Sequence, residues 1–205
     1  MNRQLKFAVI ALGSAVILLG IATLLQNPSL FSVKSQAAEK IPFPTALSFT
    51  LTIKAPGQDP AVLQGLSSVG NMRLEGKIGG IATVNLLKDS KLFALTEAIK
   101  TAREIENPPL PKTDDPGWTE WLTEPGRVNP LNFAVQIGKD REFHGQVKLA
   151  GGKVTAIFDH GILSNISFPL PESDSNIEYA YGGIVKNPEI PEGYFDIPKD
   201  YMVMK

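Results

Sequence analysis

The stretch that decides the fold runs from Ala46 to Lys54 and reads Ala-Leu-Ser-Phe-Thr-Leu-Thr-Ile-Lys. Leu47, Phe49, Leu51 and Ile53 alternate with Ser48, Thr50, Thr52 and Lys54. Successive strand side chains point to opposite faces, so the first set shares one side and the second set shares the other. Such a strand buries one face against a core and leaves the other to water.

Working toward the C-terminus, Met72 to Gly76, Gly80 to Leu87 and Lys91 to Thr96 predict further strands. Gly79-Gly80 and Lys88-Asp89-Ser90 supply turns between them. Leu95 to Glu106 also fits a helix, because Ala98, Ile99, Ala102 and Ile105 recur at helical spacing and Pro108-Pro109 would end it. Residues 107–130 are proline-rich and irregular, with Trp118 and Trp121 in the middle. A short helix over Trp118 to Thr123 is expected there, with Asp115 as a cap ahead of Pro116. An insert of this length between strands is a functional lid or a packed surface loop.

Strand signals resume at Leu131 to Ile137, Phe143 to Leu149, Val154 to Phe158, Ile162 to Phe168 and Ile177 to Val185. Gly138-Lys139-Asp140, Gly151-Gly152 and Asp159-His160-Gly161 punctuate them. The even spacing predicts an antiparallel meander. Residues 41–205 therefore read as one mainly β domain with a few short helices.

Toward the N-terminus, Ile41-Pro42-Phe43-Pro44 is stiff and extended. Residues 26–40 read as a linker. Phe7 to Leu25 is a run of 19 uncharged, mostly apolar residues behind Arg3 and Lys6. As a helix it would span roughly 28 Å, about the thickness of a bilayer core. The basic start keeps the N-terminus in the cytoplasm and sends the rest outward. Two readings stay open: an uncleaved signal-anchor, and a signal peptide cut after Ser35-Gln36-Ala37. Both place the β domain outside the cytoplasm: on the extracytoplasmic side of the cell envelope behind a single-pass anchor, or secreted or periplasmic if cut after Ala37.

Composition excludes several classes. The chain contains no cysteine, which rules out disulfides, zinc-thiolate sites and a cysteine nucleophile. It also rules out a lipid-bearing cysteine anchor. Arg3, Lys6 and Lys34 are the basic residues of the first 37, where no acid occurs; the remainder holds 17 basic and 21 acidic side chains. No basic cluster suited to nucleic acid stands among them.

No sequence motif marks a catalytic, metal or cofactor site. His144 and His160 are the two histidines, and neither has the spacing of a metal set. Asp159-His160 resembles a fragment of a hydrolytic triad, yet Gly-x-Ser-x-Gly is absent and Asp-His-Gly suits a β-turn. Trp118 and Trp121, three residues apart, would share one side of a helical turn. Tryptophan there either caps the core or serves as a lid or membrane contact.

The C-terminal third carries a further cadence. Gly151-Gly152-Lys153-Val154 opens a strand, Phe158 to Ile166 forms a turn and strand, and Ile177 to Tyr181 leads to Asn187-Pro188 and to Phe195-Asp196-Ile197-Pro198-Lys199-Asp200-Tyr201. This ending resembles that of the periplasmic lipoprotein-carrier superfamily, the LolA- and LppX-like half-barrels. The likeness covers roughly residues 140–201. It implies a curved antiparallel sheet, an incomplete β-barrel, whose apolar concave face is covered by short helices and receives acyl chains. A bent sheet with an apolar inner face must either fill it or bind something apolar.

The expected function is therefore non-enzymatic binding or carriage of a lipid or lipidated protein. Leu47, Phe49, Leu51 and Ile53 are expected to line the core or cavity, with Trp118 and Trp121 as the lid. The competing expectation is a membrane-anchored structural or interaction domain with a filled core and no cargo.

Overall fold

The computed structural model describes residues 42–170 and 174–205. The expected N-terminal helix over 7–25, the cut after Ala37 and the linker 26–40 lie outside the described residues. Among the described residues eleven strands form one sheet: β1 (Ala46–Lys54), β2 (Ala61–Ser68), β3 (Asn71–Ile78), β4 (Ile81–Lys88), β5 (Lys91–Thr96), β6 (Thr101–Ile105), β7 (Gly145–Leu149), β8 (Val154–Asp159), β9 (Ile162–Pro169), β10 (Asn176–Lys186) and β11 (Met202–Met204). Their order is β11-β6-β5-β4-β3-β2-β1-β10-β9-β8-β7. All neighbours are antiparallel except β11, which pairs parallel with β6. The sheet is curved and unclosed, with β11 and β7 at its two edges.

The alternation of β1 sets the two faces. Leu47, Phe49 and Leu51 are buried on the inner face, and Ile53 is half-buried against the same cluster. Their partners on β2 are Ser67, Gly65 and Leu63, and next on β3 come Met72, Leu74 and Gly76. Gly65 is required by contact: a Cβ there would lie 2.3 Å from the Phe49 ring. The glycine lets that ring lie flat across the neighbouring strand.

The outer face has its own small core. Leu86, Phe93, Leu95 and Ala102 bury there, while their chain neighbours Leu87 and Leu92 bury inside. What covers the outer cluster is the C-terminal phrase itself. Phe195, Ile197 and Tyr201 pack on it. Arg73 of β3 donates to the Tyr194 carbonyl and stacks over the Tyr194 ring, and Lys88 pairs with Asp196. The chain leaves β10, straps the back of the sheet and adds β11 beside β6.

Two expected elements differ. Leu95 to Glu106 is no helix: β5 and β6 form a hairpin around a 3₁₀ turn at Glu97–Ile99, with Lys100 left-handed at φ 48°. Pairing with β4 and β11 satisfies the backbone of both strands, and this outweighs a helical spacing that rested on four residues. Leu131 to Ile137 is no strand. It holds a short helix, Phe133–Gln136, whose Phe133 and Ala134 bury together with Ile137 one turn on. Strands β2 and β11 lie in segments with no strand signal in the expectation above.

Candidate functional site

Between β6 and β7 the chain spends residues 106–144 on the inner face. This cover holds two one-turn helices, α1 (Trp118–Trp121) and α2 (Phe133–Gln136), and a 3₁₀ turn at Pro125–Arg127. Asp115 accepts the Gly117 N–H at 2.7 Å, which turns the chain after Pro116 into α1. In α1 both tryptophans face inward, as their spacing predicts.

The cover fills the hollow of the sheet with its own rings. Trp118 and Phe133 are fully buried, and Trp121 nearly so. Trp118 meets Trp121 edge-on at 5.8 Å and Phe133 at 5.9 Å; Phe133 stacks on Phe158 of β8 at 6.3 Å. Leu47, Phe49, Leu51, Trp118 and Trp121 thus belong to one apolar cluster, with Ile53 at its margin. Gly126 sits directly over the sheet: a Cβ there would come within 2.8 Å of Leu92 and 3.0 Å of Asn85.

Polar bonds tie the cover down. The Trp118 and Trp121 indole N–H groups donate to the carbonyls of Lys112 and Pro108 within the cover. Tyr179 of β10 donates its hydroxyl to the Leu122 carbonyl at 2.7 Å, and Tyr181 reaches the Val128 carbonyl at 3.5 Å. Burial pushes both phenols above their ordinary range, so they remain neutral donors. Asn129 donates to the carbonyls of Ser68 and Asn71 at the β2–β3 turn and accepts from Leu131 N–H. Backbone bonds from Ala150 to Thr113, from Leu163 to Pro130 and from Gly161 to Phe143 complete the attachment.

One side of the cover does not close against the sheet. A cleft of about 380 Å³ opens where it meets the β2–β3 and β4–β5 turns. Leu87, Leu110 and Trp121 supply its apolar walls, and Asn107, Arg127 and Asn129 its polar ones. The Arg127 guanidinium donates to the carbonyls of Trp121 at 2.8 Å and Glu106 at 3.0 Å. Its Nε is buried without an acceptor. Other recesses, of about 440 and 490 Å³, lie away from the cover, at the C-terminal strap and at the Ile78–Gly80 hairpin.

The histidines fall outside this site. His144 Nδ1 lies 3.0 Å from Asp159 Oδ1, with His160 Nε2 at 3.8 Å, all on exposed side chains. Sequence distance hid this meeting, which the β7–β8 pairing produces. Among the described residues no group of three or more His, Asp or Glu side chains is placed to hold a metal ion. Comparison with models of known families and with curated proteins finds no match. The residues themselves carry the functional reading.

Proposed function

We propose that the domain binds a lipid or a lipidated protein without chemistry, in an extracytoplasmic space, with residues 106–144 acting as a lid. The observation that carries this reading is a curved, unclosed sheet whose apolar inner face is covered by one inserted segment, with an open cleft at one margin. Strand-to-strand bonds hold the sheet together without the lid, so the lid can move while the sheet persists. An acyl chain would replace the Trp118, Trp121 and Phe133 rings against Leu47, Phe49 and Leu51. The exchange is one of apolar contact for apolar contact, and its cost is the hydrogen bonds that Tyr179 and Asn129 make between cover and sheet. The likeness of the C-terminal phrase to lipoprotein carriers supports the same reading.

A second reading rests on the packing itself. Fully buried Trp118 and Phe133 already fill the hollow, as in a scaffold or interaction domain that takes no cargo. Native mass spectrometry after gentle purification, with uptake of a fluorescent fatty acid, separates the two. The carrier reading expects a retained lipid and saturable uptake. Repeated absence of both leaves the scaffold.

A further inference from the structure

We propose that the cleft beside Arg127 is a subsite for the anionic group, carboxylate or phosphate, of an amphiphile whose chain runs along Leu87, Leu110 and Trp121. The inference deepens the lipid-binding reading and rests on it. Arg127 carries a permanent charge. Among the described residues no carboxylate pairs with it. Two of its five N–H donors reach the carbonyls of Trp121 and Glu106, and the Nε N–H has no acceptor. Arg127 is half-buried, and carbonyl dipoles offset its charge only in part. An anion compensates it, and a guanidinium fork matches a carboxylate or phosphate with two parallel bonds.

The surroundings narrow the class. Asn107 lines the cleft with Arg127; its amide donates to the Ser90 carbonyl at 2.8 Å, which leaves one N–H for a ligand. Asn129 is spoken for: its amide already donates to Ser68 and Asn71. Leu87, Leu110 and Trp121 line the same cleft, and a free inorganic anion would leave them unused. Apolar wall and lone cation together select a molecule with a charged head and an apolar chain. The guanidinium also holds the backbone carbonyl of Trp121, so a head group bound to it lies beside that residue.

The test is a titration of the full chain with laurate, lauryl phosphate, lauryl alcohol and inorganic phosphate, followed by tryptophan emission. The chain has two tryptophans, and both lie in the cover. Charge-assisted bonds predict that laurate and lauryl phosphate bind at least about tenfold more tightly than the alcohol, with the gap shrinking at high salt. In Arg127→Gln the ratio of acid to alcohol affinity falls below about threefold; Arg127→Lys keeps part of it. Equal binding of laurate and alcohol by the unaltered protein overturns the subsite and leaves lipid binding standing. Binding of inorganic phosphate as tightly as lauryl phosphate overturns the amphiphile class. No binding by any of the four sinks the underlying reading. Should Arg127→Gln fail to fold, the acid-against-alcohol ratio and its salt dependence decide the question.

Discussion

Replacing Trp118 by alanine removes the centre of the plug. The side chain is fully buried, meets Trp121 and Phe133 at 5.8 and 5.9 Å, and donates its indole N–H to the Lys112 carbonyl at 2.7 Å. A buried tryptophan cut to alanine costs about 3–5 kcal/mol. For a domain of this size that is a fall in Tm of roughly 6–20 °C. It also opens an apolar void on the order of 150 Å³, a size that stays dry and admits small apolar guests. Urea and thermal unfolding followed by circular dichroism measure the loss without relying on tryptophan signals. Trp118→Phe, which keeps an aromatic ring, should lose less than about half as much. In the carrier account, uptake of a fluorescent fatty acid rises in Trp118→Ala, because the plug competes less well with the chain. A stability loss under about 1 kcal/mol would refute the packing argument, since it would mean the ring is not held between cover and sheet.

Three other outcomes follow from named contacts. Burial raises the phenols of Tyr179 and Tyr181, so the folded chain keeps protons that the unfolded chain loses near pH 10. Their contribution is complete well below that pH and declines above it, approaching about 1.4 kcal/mol per pH unit for each tyrosine; between pH 9 and 11 urea unfolding should therefore lose about 1.4 kcal/mol less in total in Tyr179→Phe, and an unchanged loss contradicts the assignment. Phe195→Ala strips the outer cluster of a half-buried ring and should cost about 1.5–3 kcal/mol while leaving fatty-acid uptake alone; a change in uptake would couple the strap to the inner face. Gly161→Ala places a Cβ at φ 74°, 2.4 Å from the Arg141 carbonyl oxygen, and should destabilise by more than about 1 kcal/mol in chemical denaturation. Equal stability there would mean that the β8–β9 turn and the end of the cover shift together.

Much of the sheet was legible because alternation is a local signal. Leu47, Phe49, Leu51 and Ile53 announce β1 and its buried face without reference to any partner. β2 gave no such signal: Gly65 interrupts its inner-face row, and the reason for that glycine, the Phe49 ring, lies on another strand. β6 was legible as an element but not as a strand, since Ala98, Ile99, Ala102 and Ile105 satisfy helical spacing equally well. Its state is settled by β5 and β11 on either side. The tryptophans were legible as a pair on one face of a turn. Arg127 was not: nothing local distinguishes it from a surface arginine. Its place at the cleft comes from the Pro125–Arg127 turn and the carbonyls of Trp121 and Glu106. The C-terminal phrase was visible as a pattern, and its physical cause is the outer cluster that it covers.

Whether the cover is a lid can be read from the exchange of its own amides. Native-state hydrogen exchange should compare Leu122 and Gln136, bonded within the cover, with Leu51 and Leu63 in the sheet, with and without a long-chain fatty acid. Faster exchange of the cover amides at a free energy below global unfolding, altered by the fatty acid while the sheet stays protected, is what the account predicts. Cover and sheet opening together at one free energy, indifferent to the fatty acid, would contradict it.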